Sequence, residues 1–366
     1  MTYRTLVFAA VATTLAQTAA AQDDSTNIFF GGQNWDVQAE RAEHVTHLGK
    51  SALLLEKGLL FADDANFSDG VIEFNVSYPE HRAFIGAAWR TQNREDAEEM
   101  YFRAHLNDLP DSIQYTPVNN RLSAWQIFSD ENAIAPIKQN YDGWNAVKIV
   151  VEGDRADIYF NSESPVLHVP DLKNDFTAGG LFLRSTNRGD NATHFADLSI
   201  RPLGANEGIV GTPKPSKPMP EGIIDRWQVS SAFAEADIAA MTELPDQSEM
   251  SWQTLDVESN GIANLAKLHN PRENGDTVFV KTTLNADRAK ISELKFGFSD
   301  RVRLYLNGQL IYAGDDGFRT RDYRFLGLVG FYDVVGLHLR PGENELVAAV
   351  SETFGGWAWA GAIAPD

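Results

Sequence analysis

The segment Tyr101-Phe102-Arg103-Ala104-His105-Leu106 alternates side chains that recognise polar ligands with side chains that are apolar or small. In an extended strand, successive side chains point to opposite faces, so Tyr101, Arg103 and His105 share one face. An aromatic ring, a guanidinium and an imidazole suit a sugar, because a pyranose offers C–H faces for stacking and hydroxyl groups for hydrogen bonds. The segment therefore predicts a carbohydrate-binding surface, with an ordinary solvated face as the alternative.

Neighbouring segments with strand character hold further candidates for this ligand-binding surface. They are Arg90, Gln114, Tyr115, Trp125 and Gln126. His105 is also a candidate general base, since the ordinary pKa of imidazole lies near neutrality and Asp108 and Asp111 follow it closely. Which strands pair, and hence which of these side chains meet, is left open by the sequence.

Hydrolysis of a glycosidic bond needs two carboxyl groups that flank the bond. Glu73 is the candidate acid in the strand Glu73-Phe74-Asn75-Val76-Ser77-Tyr78, which contains no second Asp or Glu. A solvated or structurally paired carboxylate is the alternative interpretation of Glu73. The missing partner favours binding over catalysis.

Residues 95–99 hold four carboxylates in five positions and predict a hydrated loop. Calcium is the alternative, because hard oxygen ligands suit it, but a spaced Asp-x-Asp-x-Asp loop is missing from the sequence there. The histidines show no helical His-x-x-x-His spacing, so a zinc site is not expected. The motifs require no cofactor and leave structural calcium as the metal to consider, including at the charged turns around residues 300–322.

Composition limits the class of protein that can position these residues. The chain has 366 residues, 43% of them hydrophobic, which is enough for two domains. Lys and Arg number 31 against 51 Asp and Glu, giving a formal net charge of −20 that disfavours binding to nucleic acid or anionic lipid. The chain has no cysteine, which excludes disulfides, thiolate sites and cysteine-linked lipids.

The first 21 residues have the pattern of a secretory signal peptide. Arg4 precedes an apolar run over residues 6–12, and Ala19-Ala20-Ala21 stands before Gln22, which predicts cleavage after Ala21. A membrane anchor is the alternative, but the run is shorter than the roughly 20 residues that a span requires. We expect an exported protein, periplasmic or secreted, with no membrane span.

A proline-rich segment predicts the domain boundary. Four prolines lie within residues 213–220, where apolar periodicity is missing. We expect a first domain over residues 22–203, a linker over 204–222 and a second domain over 223–366. Because alternating prolines favour an extended spacer, we expect the two domains to sit apart or to dock loosely.

Short runs of β-branched and aromatic residues recur on both sides of this linker and predict an all-β fold with two β-sandwich domains. The clearest turn signal is Asn307-Gly308, because a two-residue type I′ hairpin turn needs positive φ at both positions. One helix is predicted over residues 230–241, with Ser231 as its cap. Trp357 and Trp359 are expected in the core of a final strand, with a sugar-stacking platform as the alternative.

Residues 67–203 resemble the concanavalin A-like lectin/glucanase superfamily, in the branch with laminin-G-like and 3-keto-disaccharide hydrolase-like domains. The resemblance lies in the segments FSDGVIEFNV, AFIGAAWRTQ, EEMYFRAHLND and HFADLSIRPL. It implies a two-sheet jelly roll whose concave face often meets sugar. In the glucanases the catalytic pair follows a Glu-x-Asp-x-x-Glu pattern, from which the strand at Glu73 departs at Asn75 and Tyr78.

The C-terminal half resembles galactose-binding-like jelly rolls, through VRLYLNGQLIYAG and LHLRPGENELVAAVSE. This resemblance implies a fold rather than a ligand. The leading hypothesis is thus an exported carbohydrate-binding protein that engages a polysaccharide or glycoside on the first domain's concave sheet face, with the second domain as an accessory. The alternatives are a glycoside hydrolase of the 3-keto-disaccharide hydrolase-like kind, in which His105, Arg103 and nearby acids would do the work, and a non-enzymatic protein-interaction module. Whether the protein is an enzyme is left open, as is its oligomeric state.

Overall fold

The computed structural model describes residues 26–141, 143–273, 275–317, 320 and 328–364. The expected signal peptide over residues 1–21 lies outside these residues, as do Arg319, Arg321 and Asp322. The described chain forms strands, turns and three short 3-10 turns, so the predicted all-β class is confirmed. Within that part of the chain, no helix is long and apolar enough to cross a membrane.

Fourteen strands between residues 26 and 201 are hydrogen-bonded into one antiparallel sheet. The first seven are β1 Thr26–Phe30, β2 Gln33–His47, β3 Lys50–Phe67, β4 Gly70–Ser77, β5 Phe84–Gln92, β6 Asp96–Arg103 and β7 Ile113–Asn119. The next seven are β8 Leu122–Ser123, β9 Ile134–Ala135, β10 Asn145–Glu152, β11 Arg155–Phe160, β12 Leu167–Val169, β13 Gly179–Ser185 and β14 Thr193–Arg201.

This sheet folds over into two layers. The back layer has the order β12-β11-β10-β4-β14, and the front layer has the order β13-β5-β6-β7-β8. The hairpin of β2 and β3 belongs to both, because β3 pairs with β14 through residues 52–55 and with β13 through residues 58–67. Between these two stretches the backbone turns at Lys57, whose φ is 29°.

Period-two alternation builds the core between the layers. Ile72, Phe74 and Val76 of β4 point inward and are buried, whereas Glu73 and Asn75 point outward. Aromatic rings on inward-facing positions of the front layer meet those of the back layer, as where Phe102 of β6 packs edge-on against Phe160 of β11 at 5.3 Å.

The described residues of the second half form ten strands in two sheets. They are β15 Arg226–Ser230, β16 Trp252–Asp256, β17 Ile262–Asn264, β18 Thr277–Ala286, β19 Lys290–Ser299, β20 Arg301–Leu306, β21 Gln309–Asp315, β22 Asp333–Leu339, β23 Gly342–Ser351 and β24 Ala358–Ile363. The sheets have the orders β16-β15-β18-β23-β20-β21 and β17-β24-β19-β22. Their inner faces meet where Trp227 packs edge-on against Trp359 at 5.7 Å.

The turn and core predictions for the second half are confirmed. Asn307 and Gly308 join β20 to β21 with φ values of 51° and 85°, and Leu306 pairs with Gln309. Trp357 and Trp359 are both fully buried in the core between the two sheets. The sugar-stacking alternative for this tryptophan pair is therefore excluded.

The helix predicted over residues 230–241 is wrong. β15 ends at Ser230, and the only helical turn in this range is the 3-10 turn Glu235–Asp237. Phe233 explains the difference, since its backbone exchanges hydrogen bonds with Thr277 and its ring packs on Phe279 at 4.6 Å. Long-range pairing of an extended backbone thus overrides the local alanine-rich helix propensity.

The two halves pack closely, which differs from the expected loose docking. Residues 122–128 form a strand only at Leu122–Ser123 and then run along the second half. Leu122 is buried in the core of the second half. Apolar residues of both halves form a further shared cluster, with Ala124, Ile127, Phe128 and Ala133 from the first half and Ile262, Val329, Ala358 and Ala360 from the second.

Side-chain amides add hydrogen bonds across this contact. Asn120 Nδ2 donates to the carbonyl of Ala266 at 2.7 Å, and Asn264 Nδ2 donates to Asn119 Oδ1 at 2.9 Å. Asn264 is fully buried, so its bond to Asn119 forms away from bulk water. Such directional contacts fix the relative position of the two halves more sharply than apolar packing alone.

The first part of the linker lies against the first half, through residues 210–214. Asp157 Oδ2 accepts hydrogen bonds from the backbone N–H groups of Val210 and Gly211, at 2.7 and 2.8 Å. Asn132 makes two hydrogen bonds with the backbone of Lys214, at 2.8 and 3.0 Å. These contacts therefore hold the first part of the linker in place.

Leu122→Ala tests the close docking. Leu122 is 5% exposed and surrounded by the second half's core, so its truncation should lower the free energy of unfolding by about 2–5 kcal/mol. Chemical denaturation of the full chain measures this. Leu109→Ala is the control, because Leu109 is 46% exposed and its loss should cost less than about 0.5 kcal/mol. Equal effects of the two substitutions would contradict the docking.

Candidate functional site

The front layer carries the predicted surface on its outer side. Tyr101 pairs with Gly86 of β5 and with Gln114 of β7, and Gly86 pairs in turn with Arg184 of β13. Arg184, Gly86, Tyr101 and Gln114 therefore form one row across four strands. The alternation predicted for Tyr101 and Arg103 is present, with Phe102 pointing into the core.

Gly86 opens a gap in this row. A Cβ atom at this position would lie 2.3 Å from the carbonyl oxygen of Met100 and 2.8 Å from Cα and Cβ of Tyr101. Because the position has no side chain, the Arg184 guanidinium reaches across to 5.6 Å from the centre of the Tyr101 ring. Arg184 also forms an ion pair with buried Glu99, with 2.6 Å between Nη1 and Oε1.

Tyr101, Arg103 and Gln114 form a closed hydrogen-bond network. The Tyr101 hydroxyl donates to Gln114 Oε1 at 2.8 Å, and Arg103 Nη2 donates to both that oxygen and the Tyr101 hydroxyl, at 2.6 and 2.8 Å. All three side chains are nearly fully buried, and burial raises the pKa of Tyr101 to about 12. The structure thus brings three predicted residues together, as a support beneath the accessible surface.

The accessible surface beside this network consists of Arg82, Phe84, His105 and Arg184, here called the front strip. The Phe84 ring lies 6.0 Å from that of Tyr101 and 5.7 Å from that of His105. Arg82 Nη1 lies 3.4 Å from His105 Nε2. Burial, followed by the charges of Arg82 and Arg103, lowers the pKa of His105, so its imidazole is neutral at pH 7.

Trp125 and Gln126 lie at the edge of the front layer, outside any strand. The carbonyl of Trp125 accepts a hydrogen bond from Gln114 Nε2 at 2.8 Å, which ties this edge to the buried network. Gln126 is fully buried and its Oε1 accepts the backbone N–H of Gly356, from the second half, at 2.6 Å. Gln126 therefore holds the halves together and is not part of the accessible surface.

Two predicted surface residues lie elsewhere. Tyr115 points into the core, where its hydroxyl donates to Glu98 Oε2 at 2.5 Å. Arg90 lies in a bulge of β5, with a φ of 53°, and is turned away to Asp69 and to the carbonyls of Ser68 and Gly153. The expectation that these two extend the surface is corrected, because strand parity excludes Tyr115 and the bulge redirects Arg90.

Glu73 lies on the outer side of the back layer, on β4. Its carboxylate oxygens are each 3.5 Å from Arg201 Nη2, which matches the alternative of a structurally paired acid. Four strands separate β4 from β6 in the sheet order. The structure therefore does not bring Glu73 and His105 together as a catalytic pair.

Sequence reasoning missed Arg184, Phe84 and Glu99. The hydrated loop predicted over residues 95–99 is wrong for Glu98 and Glu99, which are fully buried on opposite faces of β6. Burial raises the pKa of Glu98 to about 7, although hydrogen bonds from Tyr115 and Asn174 oppose this shift. The alternation through residues 180–185 could have placed Arg184 and Leu183 on opposite faces of their strand. The residues that lie beside Arg184 on the sheet depend on long-range register, which the sequence does not give.

A second polar cluster lies on the back layer. The rings of His47 and His194 stack at 3.7 Å with 5° between their planes, His47 Nε2 is 3.0 Å from Ser77 Oγ, and Trp144 meets His47 edge-on at 5.5 Å. Burial and then the neighbouring His47 lower the pKa of His194 to about 4. Both imidazoles are therefore neutral at pH 7, since burial also lowers the pKa of His47.

The second half contains a buried pair of carboxyl groups, Asp300 and Glu352, with exposures of 2% and 3%. Burial, and then the neighbouring Asp300, raises the pKa of Glu352 to about 8, and burial raises that of Asp300. Among the residues that the structure describes, no group of three or more His, Asp or Glu side chains is arranged to hold a metal ion.

A cavity of about 100 Å³ lies between the halves, with Phe128, Lys173, Ser216 and Asn260 among its lining residues. At roughly 30 Å³ for each water molecule, it has room for about three waters.

No family model matches this chain, and no curated protein matches it. Among solved structures, the chain is similar to carbohydrate binding module CBM66 from Bacillus subtilis, at 16% identity over 44% of this chain and 91% of that one, with a TM-score of 0.33. It is also similar to a β-glucanase from Bacillus licheniformis, at 10% identity over 44% of this chain and 81% of that one, with a TM-score of 0.33. A third similar structure is a Bacillus subtilis protein with a galectin-like fold. Its identity is 10% over 43% of this chain and 85% of that one, with a TM-score of 0.33. Similarity of this degree does not show a shared ligand or activity.

The stacked histidines predict a pH dependence of stability. The folded state keeps His194 neutral down to about pH 4, whereas in the unfolded chain it takes up a proton below about 6.5. The unfolded state binds more protons in this window, so the free energy of unfolding should fall as pH is lowered from about 6.5 to about 4. Because His194 is half-exposed, the loss should amount to about 1–2 kcal/mol.

Denaturation of the wild type and of His194→Gln at several pH values checks this dependence. The substituted chain should lose less stability on acidification, because it has no imidazole to protonate at that position. His81→Gln is the control, since His81 is exposed and makes no stacking contact of this kind. Parallel pH profiles for wild type and His194→Gln would rule the interpretation out.

Proposed function

We propose that this protein is an exported carbohydrate-binding protein that takes a glycoside or polysaccharide on the front strip. The observation that supports the proposal most directly is the placement of Phe84, His105 and Arg184 beside the gap at Gly86. An aromatic ring, a neutral imidazole and a guanidinium lie next to one another there. Their accessible parts rest on the rigid network of Tyr101, Arg103 and Gln114.

Each member of the front strip has a distinct role in this proposal. The half-buried Phe84 ring offers a face for the C–H groups of a pyranose. His105 offers only Nε2, which lies near Arg82 Nη1, because its Nδ1 is buried; Arg184 offers N–H donors beyond those bound to Glu99. The net charge of −20 disfavours polyanionic glycans, so neutral polysaccharides are the favoured ligands.

Binding is favoured over hydrolysis by the state of the carboxylates. Glu99 lies against the front strip, but it is 1% exposed and bound to Arg184. Glu73 is bound to Arg201 on the other layer. A glycosidase needs one acid that protonates the leaving oxygen and a second that attacks or activates water. Neither carboxylate is free for these steps at the front strip.

The export part of the proposal rests on residues 1–21 alone, through the charged start, apolar run and small-residue cleavage pattern. Expression of the full chain in a bacterial host, followed by N-terminal sequencing of the exported product, tests it. Material that begins at Gln22 supports cleavage after Ala21. Product that retains Met1 in the cytoplasm contradicts it.

Native gels cast with a soluble β-glucan, an arabinoxylan, a galactomannan or a fructan test the ligand. Retardation with intact polymer is the expected result. Phe84→Ala should weaken binding about tenfold, as loss of a central aromatic contact does. Phe29→Ala is the matched control, because Phe29 is an exposed phenylalanine of β1 outside the front strip.

Three outcomes would argue against the proposal in different ways. Polymer cleared along the lane would show a hydrolase. Equal retardation of wild type and Phe84→Ala would move the site away from the front strip. Unchanged mobility in every polysaccharide would favour a protein-interaction module. Thermal unfolding of each variant confirms that a lost interaction does not reflect a lost fold.

A further inference from the structure

We propose that the second half of the chain contributes an aromatic subsite to the carbohydrate site. Phe354 of the second half and Trp125 of the first would together receive a further unit of a sugar chain that is bound at the front strip. This inference rests on the proposed function and deepens it. It assigns the second half a direct part in selecting ligands by their length.

The loop that carries Phe354 is fixed at both ends. Asp300 Oδ2 accepts the backbone N–H groups of Thr353 and Phe354, each at 2.9 Å. Beyond Phe354, Gly355 has a φ of 117°, and a Cβ atom there would lie 1.6 Å from Gln126 Oε1. The loop thus approaches the first half as closely as its backbone allows.

Phe354 remains accessible on this fixed loop. Its exposure is 53%, although it stands where the two halves meet and where neighbouring apolar side chains are buried. Its ring centre lies 6.3 Å from that of half-buried Trp125, with 62° between the ring planes. Two rings at this angle form an aromatic corner, in which one sugar ring can stack on one face and touch the edge of the other.

The aromatic corner is connected to the front strip through the buried network. Gln114 Nε2 donates to the carbonyl of Trp125, while Gln114 Oε1 accepts from Tyr101. Tyr101 in turn contacts Phe84 and Arg184. Gln114 therefore ties the backbone of Trp125 to the network on which the front strip rests.

The strand order gives the length of the combined site. Arg184 on β13 and Gln114 on β7 are three strand spacings apart, or about 14 Å at about 4.8 Å for each spacing. This is longer than a single sugar ring. A ligand that reaches from Arg184 to the aromatic corner must therefore be an oligosaccharide, and affinity should depend on its length.

Packing between the halves is the competing role for the aromatic corner, and two substitutions of Phe354 separate the roles. Phe354→Leu keeps an apolar side chain for packing but removes the aromatic face, whereas Phe354→Tyr keeps the ring. A role in packing alone would be served by leucine. A role in stacking is served by tyrosine and lost with leucine.

Calorimetric titration of the full chain tests the proposal. The ligands are oligosaccharides of about two to about six units, prepared from the polysaccharide that retards the protein in the native gels. Phe354→Leu should bind the longest oligosaccharide about five- to tenfold more weakly than wild type, with affinity for the shortest unchanged. Phe354→Tyr should bind every length as wild type does. Phe84→Ala should weaken binding at all lengths, and Phe29→Ala is the control for loss of an exposed ring.

The outcomes distinguish this inference from the function on which it rests. If Phe84→Ala weakens binding while Phe354→Leu binds all lengths as wild type does, the front strip stands and the subsite is overturned. The same holds if Phe354→Leu lowers only the thermal stability. A wild type that binds no oligosaccharide removes the proposed function and the subsite with it.

Discussion

The pairing of β3 with both layers is the constraint on which the first half depends. One end of this strand pairs with β14 of the back layer and the other with β13 of the front layer. Because β13 is held next to β3, its other edge is available to β5, and this pairing sets Arg184 opposite Gly86. The chemistry of the front strip thus depends on a backbone turn at Lys57, on the far side of β13.

Local patterns predicted the parts of the structure that local physics decides. The alternation in residues 101–106 placed Tyr101 and Arg103 on one side of a strand, although the strand ends at Arg103 and His105 follows in a turn. The Asn307-Gly308 hairpin followed from the backbone conformations that these two residues tolerate. The all-β class followed from the recurring runs of β-branched and aromatic residues. The burial of Trp359 followed from its place in the last apolar strand.

Long-range pairing decided what the sequence could not. Arg184 meets Glu99 across 85 positions of sequence, and only the register of β13 against β5 and β6 brings them together. A bulge in β5 turned Arg90 away from the predicted surface. Strand alternation placed Tyr115 and Gln114 on opposite faces of β7. The acidic run at Glu98 was misread as a loop, because carboxylates are rarely buried unless they find partners such as Tyr115.

The insertion of residues 122–128 into the second half bears on how such a chain can be divided. The proline-rich segment looks like the place to cut, yet a cut there would leave Leu122 and Ile127 without the partners that cover them. Each fragment would expose an apolar patch and be prone to self-association. The two halves are thus one unit for protein engineering, and a fusion protein that replaces one of them must provide new apolar partners for residues 122–128.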